Sequence, residues 1–335
     1  MTTATANRQI RLRQRPDGRV DERTFETVEE AIPEPEAGQA LVQNLYLSID
    51  PTNRAWIGEE PTYLPPVGIG EVMRSVGLGR VVESNSDDYP GGALVTGLVG
   101  WQEYTLAGGE GIPLTVVPEL ELPIECMLGA LGITGITAWF GIEEIGRPQE
   151  GETMVVSAAA GAVGSVAGQL AKLRGARVVG IAGGADKCAW LVDELGFDAA
   201  VDRHDPRWRE LLREACPNGV DVDFENVGGE IMDAVFSMLN LNARVPLCGL
   251  ISEYNEDPQP GPSLRRVLMN RVLIKGFIVL DWFDRFPEAI TQLGALVAEG
   301  KVKDRHTIVE GIDSAPAAIN MLFDGENVGK LIVKI

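Results

Sequence analysis

The chain has 335 residues, of which 45% are hydrophobic and 23% are charged. This is the composition of a folded globular protein, and at roughly 100–200 residues per domain the length predicts two domains. The formal net charge of −20 argues against nucleic acid and anionic membrane surfaces as partners, because an acidic surface repels phosphate groups. A small anionic cofactor remains compatible with this charge, since a helix end and a few cations bind phosphate locally.

The few cysteines limit the chemistry that the chain can perform. Cys126, Cys188, Cys216 and Cys248 are separated by 62, 28 and 32 residues, so none of them has the short C-x-x-C type of spacing that zinc sites use. We therefore expect free thiols in a reducing compartment, a cytoplasmic protein and no metal site. Residues 1–15 are polar and basic and lack the apolar stretch of a secretory signal, in agreement with this expectation.

Residues 1–129 predict a domain built from short strands. Residues 39–50 alternate in part between apolar and polar side chains and stop at a proline, and glycine-rich turns separate the runs that follow. Many short strands between turn signals are typical of a β-barrel or a β-sandwich.

Residues 130–300 change character and alternate between strand-like and helical runs. This βαβ rhythm predicts an α/β domain with a doubly wound parallel sheet. The predicted strands cover 153–157, 177–182, 220–226 and 244–250, and the predicted helices cover 164–174, 186–195, 206–216 and 230–240. The tail over 301–335 predicts a helix over 315–323 and a strand over 331–335. We expect this tail to pack on the first domain.

Two uncharged stretches require a test for membrane insertion. Residues 126–142 and 153–171 carry no charge, and the second has 19 residues, close to the roughly 20 that span a bilayer. Both are rich in Gly, Ala, Ser and Thr rather than in Leu and Phe, and the second opens with β-branched residues before a Gly-Ala turn. We therefore predict strand, turn and helix here, and no membrane partner.

A glycine turn follows the predicted strand 153–157. Aligned to the dinucleotide-binding pattern G-x-G-x-x-G, its three positions are Ala159, Gly161 and Gly164. The second position lets the backbone approach a pyrophosphate, the third lets the helix pack on its strand, and the helix presents N–H groups and a positive dipole end. Dinucleotide binding is the favoured interpretation, and plain packing of a Gly-Ala turn is the alternative.

The residues after strand 177–182 favour NADP over NAD. NAD sites place an acid about 20 residues after the glycine motif, and this strand ends without one. Asp186 is expected to cap the next helix, so that Lys187 lies in its first turn, where a cation opposes the helix dipole. A 2′-phosphate partner explains this lysine, and a solvated surface lysine is the alternative. Arg203 is a second candidate for the phosphate.

Seven segments, in order along nearly the whole chain, match one known family. They are SIDPTNR at 48–54, GITGITAWFG at 132–141, AAAGAVGS at 158–165, FENVGG at 224–229, CGLISEYN at 248–255, GFIV at 276–279 and NVGKLIVK at 327–334. The set resembles the zinc-free medium-chain dehydrogenase/reductases. Within them it is most similar to the NADPH-dependent double-bond reductases, a branch that includes prostaglandin reductase, plant alkenal reductases and bacterial curcumin reductase.

The resemblance implies fold, cofactor and assembly. It implies a GroES-like β-barrel domain over 1–129, a Rossmann NADP-binding domain over 130–300, a return to the first domain over 301–335, and a homodimer that binds NADPH/NADP+. The implied cofactor contacts, with Arg203 added from the charge argument, are Gly161, Ala162, Val163, Gly164, Lys187, Arg203, Asn226, Cys248, Gly249, Leu250, Ile251, Ser252, Tyr254, Phe277, Ile278, Val279 and Asn327.

Several of these positions have a second interpretation. Relatives often carry a tyrosine where Arg203 stands, and its guanidinium either pairs with the 2′-phosphate or is drawn towards Asp202. Asn226 precedes a Gly-Gly pair and suits a turn as well as a cofactor contact. Residues 277–279 are apolar and suit the core as well as a nicotinamide site. Thr52 replaces an aromatic residue of some relatives, which predicts a more open substrate pocket.

The reaction that the resemblance implies is the 1,4-reduction of an α,β-unsaturated ketone or aldehyde. Hydride from NADPH adds to the β-carbon, charge develops on the carbonyl oxygen, and the α-carbon then takes a proton. Neither His204 nor His306 lies in a matching motif, so we expect Tyr254, in a loop after a parallel strand, to stabilise the enolate. A tyrosine that only caps a backbone carbonyl is the alternative, and water is the alternative proton source.

Three other functions compete with this one. A quinone reductase of the zeta-crystallin type shares the fold and the cofactor, but Tyr254 and Asn327 favour enones. A non-catalytic NADPH-binding protein would not need Tyr254. An alcohol dehydrogenase would need zinc ligands, which the sequence lacks.

Overall fold

The computed structural model describes residues 6–109, 113–118, 121–256 and 261–335. These residues form two compact units. The first unit consists of the described residues up to Leu128 together with His306–Ile335, and the second of those from Gly129 to Arg305.

Fifteen strands and nine α-helices are formed by the described residues. The strands are β1 Asn7–Leu12, β2 Phe25–Glu30, β3 Ala40–Ile49, β4 Val76–Ser84, β5 Leu94–Leu98, β6 Tyr104–Ala107, β7 Thr115–Val116, β8 Thr153–Val156, β9 Arg177–Ala182, β10 Ala199–Asp202, β11 Val220–Phe224, β12 Leu239–Leu247, β13 Leu273–Gly276, β14 His306–Glu310 and β15 Lys330–Lys334. The helices are α1 Pro51–Trp56, α2 Ile133–Phe140, α3 Ala162–Leu173, α4 Ala185–Ala189, α5 Trp208–Ala215, α6 Gly229–Phe236, α7 Leu264–Asn270, α8 Phe286–Ala298 and α9 Ala315–Asp324.

The first unit is built around one mixed sheet of short strands. Its order is β14-β15-β3-β4-β5-β7, β6 also pairs with β3, and β1 and β2 form a separate antiparallel pair. The strand predicted over 39–50 is β3. The tail returns to this sheet, because β15 pairs antiparallel with β3 and places Leu331 opposite Ile49. Both residues are fully buried in the core of this unit, so burial of the last strand holds the C-terminal segment on the sheet of the first unit.

The second unit contains a six-stranded sheet of the order β10-β9-β8-β11-β12-β13, in which all neighbours run parallel. Counted within this unit the order is 3-2-1-4-5-6, that of the Rossmann fold, so the predicted doubly wound sheet is confirmed. All four residues of the central strand β8 are buried, as expected for a parallel strand covered on both faces. The strand order reverses between β8 and β11, and such a switch point opens a crevice for ligands.

The uncharged stretch 153–171 forms a strand, a turn and a helix, as predicted. Gly168 of α3 lies where a Cβ atom would overlap the ring of Phe197, so its small size serves packing within the second unit. No helix among the described residues combines the length and the apolar character that crossing a bilayer requires.

The predicted boundaries around residue 240 are wrong. The helix expected over 230–240 ends at Phe236, and the strand expected over 244–250 begins already at Leu239. The cause is tertiary: Leu239 is buried in the core of the second unit, and the amide of Asn240 donates to the carboxylate of Asp221 at 2.8 Å. These contacts pull the chain out of the helical path.

Candidate active site

The predicted cofactor residues of the second unit lie along one edge of its sheet. Loops that follow six parallel strands carry them, and such carboxyl edges are where ligands bind in open α/β sheets. The loops place residues 161–164 after β8, Lys187 after β9, Arg203 after β10, Asn226 after β11, residues 248–254 after β12 and residues 277–279 after β13.

The glycine turn after β8 brings the backbone and α3 into close approach. A Cβ atom at Gly164 would lie 2.6 Å from the carbonyl oxygen of Ala158, whereas one at Gly161 would lie 3.1 Å from it. Gly164 is therefore required by sterics, as the motif predicted. Ala158 has φ +47°, a left-handed conformation that costs an L-residue about 1–2 kcal/mol, and it precedes the first motif position by one residue. The strained position was not predicted.

The N-terminus of α3 fits a pyrophosphate. The helix begins at Ala162, two residues earlier than predicted, with Gly161 as its N-cap residue. Its first turn contains no acidic residue, and no side-chain cap is formed within this described segment. The N–H groups of the first turn lack partners inside the helix, and together with the helix dipole they attract an anion.

Two cations face each other beyond β9 and β10. Burial lowers the pKa of Lys187, and the positive charge of Arg203 lowers it further. Like charges repel each other, and a phosphate bound between them reverses the sign of the interaction. The pair therefore fits the 2′-phosphate that distinguishes NADPH from NADH.

The position of Asp186 differs from the prediction. The N-cap residue of α4 is Gly184, whose φ of +98° lets the chain enter the helix two residues earlier than expected. Asp186 is consequently a first-turn residue and not the cap. Lys187 still lies at the start of the helix, as predicted.

Burial raises the pKa of Asp202, and the nearby charge of Arg203 is among the effects that lower it. One carboxylate oxygen of Asp202 accepts hydrogen bonds from the backbone N–H groups of Gly184 at 2.8 Å and His204 at 2.9 Å. A Cβ atom at Gly183 would lie 3.3 Å from Nε of Arg203 and 3.1 Å from Cε1 of His204, so both side chains pass over this glycine. Among the described residues Arg203 forms no ion pair with Asp202, which favours the phosphate interpretation of this arginine.

Asn226 forms the turn after β11. Its side-chain amide donates to the carbonyl oxygen of Ser157 at 2.7 Å, and its backbone N–H donates to Oγ of Ser157 at 2.7 Å. The turn-forming interpretation of Asn226 is therefore observed, and its contact with a cofactor remains a prediction.

The loop over 248–254 rests on the turn after β11. The backbone N–H groups of Cys248 and Gly249 donate to the carbonyl oxygen of Glu225 at 2.9 and 3.2 Å. The backbone N–H and the hydroxyl of Ser252 both donate to the carbonyl oxygen of Val227, at 3.0 and 2.6 Å. These bonds fix the path of the loop up to Tyr254.

Tyr254 remains protonated at neutral pH in this loop. Burial raises the pKa of its phenol, the neighbouring Cys248 adds to the rise, and a backbone hydrogen bond with Leu250 lowers it. A bond that lowers a phenol pKa stabilises the charged form, as an N–H donor to the oxygen does. The O–H proton is then left to donate elsewhere. A Cβ atom at Gly249 would lie 3.7 Å from this hydroxyl, within ordinary van der Waals contact.

Residues 277–279 divide between the core and the surface. Phe277 and Val279 are buried, and the ring of Phe277 lies 5.8 Å from that of Trp282. Ile278 between them is 37% exposed. The side chains of Phe277 and Val279 thus serve the core, and any contact of this segment with a cofactor falls to its backbone and to Ile278.

Asn327 lies in the first unit, in the turn before β15. Its side-chain amide donates to the carbonyl oxygen of Gly329 at 2.9 Å, and the residue is buried. Its assignment to the cofactor remains a prediction.

The Rossmann sheet, the glycine turn at its switch point and the cation pair beyond β9 together define a dinucleotide-binding oxidoreductase of the two-domain type. Residues 8–114 match the family model described as the N-terminal domain of oxidoreductase, and residues 162–295 match that described as zinc-binding dehydrogenase.

Relatives cover almost the whole chain. It is 42% identical to the NADPH-dependent curcumin reductase of Escherichia coli, over 98% of this chain and 97% of that protein. It is 40% identical to mouse prostaglandin reductase 1, over 92% and 93%. The crystal structure of CurA from Vibrio vulnificus in complex with NADPH superposes with a TM-score of 0.92 at 40% identity, covering 98% of both chains. The chain therefore belongs to the NADPH-dependent double-bond reductase branch of the medium-chain dehydrogenase/reductases, with a GroES-like and a Rossmann domain.

Proposed function

We propose that the chain catalyses the NADPH-dependent reduction of the C=C bond of α,β-unsaturated ketones and aldehydes. The observation that carries this proposal is the alignment of the predicted cofactor residues of the second unit along one sheet edge, in a chain 42% identical to a curcumin reductase. The helix end at α3, the cations Lys187 and Arg203 and the phenol of Tyr254 supply the three kinds of group that the reaction needs.

The chain's own groups hold the cofactor and prepare the site. When bound, NADPH supplies the hydride that adds to the β-carbon. The first-turn N–H groups of α3, with the glycine turn over 161–164, hold the pyrophosphate, and Lys187 and Arg203 hold the 2′-phosphate.

Tyr254 stabilises the charge that develops on the substrate carbonyl. Its phenol keeps its proton at neutral pH because burial raises its pKa, so it donates a hydrogen bond where the oxyanion forms. The α-carbon of the enolate then takes a proton, either from the phenol, which regains one from solvent, or from water, and the saturated carbonyl compound forms.

We also propose that the protein is a homodimer. The terminal strand β13 and the neighbouring α7 expose a group of large apolar side chains, with Leu268 75% and Leu264 71% exposed. An apolar patch beside an unpaired strand edge fits a second copy of the same sheet. We expect Leu268→Glu to shift the protein to half its mass in light scattering after size-exclusion chromatography. A dimeric variant would contradict this interface.

The enzyme is further proposed to work without zinc in the cytoplasm. The four cysteines are free thiols, which suits a reducing compartment, and their spacing in the sequence lacks a zinc motif. The expected result is full activity after dialysis against a chelator. Loss of activity that zinc restores would place the enzyme with the metal-dependent members of the wider family.

The test is the oxidation of NADPH with a panel of acceptors, each repeated with NADH. The panel contains a linear enone, an unsaturated aldehyde, a diarylheptanoid enone, a quinone and a saturated ketone. We expect turnover of the enones and the aldehyde, none of the ketone, and preference for NADPH. Activity with the quinone alone would move the enzyme to the quinone reductases, and tight NADPH binding without any turnover would favour a non-catalytic role.

A further inference from the structure

Glu225 is a fully buried acid that directly follows β11, beside the switch point of the sheet. One oxygen of its carboxylate accepts three hydrogen bonds. They come from Oγ of Ser157 at 2.9 Å and from the backbone N–H groups of Val227 at 2.5 Å and Gly228 at 2.8 Å. The side chain thus holds the turn that follows it and the residue that follows β8.

The bonds around Glu225 join the ends of three strands. Ser157, after β8, accepts from the N–H of Asn226 at 2.7 Å and donates to Glu225. The carbonyl oxygen of Glu225 accepts from Cys248 and Gly249 after β12. The loops after β8, β11 and β12 therefore share one buried polar network, in which Oε2 of Glu225 alone of its two carboxylate oxygens lacks a hydrogen-bond partner among the described residues. The bonds that are formed restrict the geometry of the three loops.

The network also borders the strained part of the glycine turn. Ser157 is the residue before Ala158, which has φ +47°. A strained backbone persists only where its surroundings hold it in place. The bonds of Ser157 to Glu225 and Asn226 are such a restraint, applied one residue before the turn that approaches the cofactor.

Asp223 provides an internal contrast. It lies two residues earlier, within β11, and is equally buried. Neither of its carboxylate oxygens has a hydrogen-bond partner among the described residues, whereas in Glu225 only Oε2 lacks one. Burial raises the pKa of Glu225, while the hydrogen bonds from Gly228, Val227 and Ser157 lower it. The two acids therefore differ in what they hold, and not in how deeply they lie.

We infer that Glu225 is a positioning residue whose side chain sets the geometry of the cofactor crevice by tying together the loops after β8 and β11, on which the loop after β12 rests through the backbone carbonyl of Glu225. It touches neither phosphate nor substrate and acts through Ser157, Val227 and Gly228. The inference rests on the cofactor site proposed above. The cations beyond β9 and β10 lie outside this network, so Glu225 governs affinity for both nicotinamide cofactors and leaves the preference for the 2′-phosphate unchanged.

The test uses the full-length enzyme with Glu225→Ala, Glu225→Gln, Ser157→Ala and the control Asp223→Asn. NADPH and NADH dissociation constants are measured by nicotinamide fluorescence at a temperature where each variant is folded, together with kcat and KM for an enone. For Glu225→Ala we expect at least a tenfold weaker binding of both cofactors and at least a tenfold lower kcat, with the NADPH/NADH ratio within twofold of the wild type.

The conservative variant separates positioning from bulk stability. The carbonyl oxygen of Gln at position 225 still accepts from the two backbone N–H groups, so Glu225→Gln should keep cofactor binding within about threefold. Ser157→Ala should lose an intermediate factor of about five. Asp223→Asn removes an equally buried acid and should change binding by less than twofold.

Unchanged binding and kcat in folded Glu225→Ala, with only a lower melting temperature, would overturn the inference. So would an equal loss in Asp223→Asn, because burial of an acid alone would then be the cause. If Glu225→Ala does not fold, unchanged cofactor binding in Ser157→Ala overturns the inference in its place. A wild-type protein that fails to bind NADPH contradicts the proposed cofactor site itself, which distinguishes the two failures.

Discussion

The parallel sheet of the second unit holds charged groups differently at two places along its carboxyl edge. At the ends of β8 and β11, Glu225 is fully buried and bonded to three donors. At the ends of β9 and β10, Lys187 and Arg203 are near the surface, and each repels the other. The first arrangement gathers three donors on one carboxylate oxygen, whereas the second brings two like charges close together, and a bound phosphate reverses the sign of that interaction.

This difference separates two tasks in cofactor recognition. A buried hydrogen-bond network gives shape, because its bonds favour one arrangement of the loops that they join. A pair of partly solvated cations gives discrimination, because its energy changes when a phosphate is present. The two groups are two strand spacings apart, about 10 Å. We therefore expect substitutions at the two sides to affect different properties.

The largest effect on discrimination is expected from Lys187→Ala. Loss of one charge-assisted hydrogen bond to a phosphate costs about 1.5–3 kcal/mol, or roughly ten- to hundredfold in the NADPH dissociation constant. The NADH constant should stay within about twofold. Fluorescence titration with both cofactors measures this, with Lys301→Ala as a control, since Lys301 is an exposed lysine paired with Glu299. Equal losses for both cofactors would mean that Lys187 does not recognise the 2′-phosphate.

The next largest effect is expected on the rate of the reaction, from a substitution of Tyr254 in the loop after β12. Tyr254→Phe should lower enone turnover about tenfold or more, the usual size for a proton donor, and leave the NADPH dissociation constant unchanged. Because burial raises the pKa of Tyr254 above its ordinary value, the wild-type rate should show no loss from phenol ionisation between pH 6 and 9.

The control for this variant is Tyr89→Phe, which removes a hydroxyl that donates to the carbonyl oxygen of Leu114 in the first unit. Its turnover should equal that of the wild type. Unchanged turnover in Tyr254→Phe would refute the role given to its hydroxyl.

The smallest effect is expected on the stability of Asp223→Asn, and it tests the difference between the buried acids Asp223 and Glu225. Burial, and then the charge of Glu225, raise the pKa of Asp223 well above its ordinary value of about 3.9. As pH rises, the unfolded chain loses this proton before the folded one does, so the contribution of Asp223 to stability is present at low pH and lost as pH increases.

Asn does not titrate, so in Asp223→Asn this loss of stability with rising pH is absent. The melting temperature of this variant relative to the wild type should therefore be higher at pH 8 than at pH 5. Calorimetry at both pH values measures the difference. A difference that does not change with pH would show that Asp223 does not titrate differently in the folded state.

Much of this arrangement could be predicted from the sequence because local patterns encode it. The βαβ rhythm predicted the parallel sheet, and the glycine motif predicted the close approach at Gly164, since a steric requirement leaves a residue type behind. Lys187 was detectable because it stands where the helix dipole disfavours a cation. Its proximity to Arg203 was not predicted, because the strand β10 that precedes Arg203 was not recognised in the sequence.

The remaining features depend on contacts that spacing does not encode. Val220, Val222 and Phe224 alternate with acids, the pattern of a strand with one solvated face, yet Asp223 and Glu225 are buried because helices cover both faces. The left-handed Ala158 carries no glycine to signal it. Asp186 resembled an N-cap residue, but the positive φ of Gly184 moved the start of the helix.

A double-variant cycle in NADPH affinity tests the separation of shape from discrimination most directly. It compares the wild type, Glu225→Ala, Lys187→Ala and the double variant by fluorescence titration. Sites this far apart without shared partners are expected to be additive within about 0.3–0.5 kcal/mol, so the double variant should show the product of the two single losses to about twofold. The NADPH dissociation constant of the double variant could instead equal that of whichever single variant binds NADPH less tightly. That result would show that the two sides act as one unit, and it would contradict the separation of shape from discrimination.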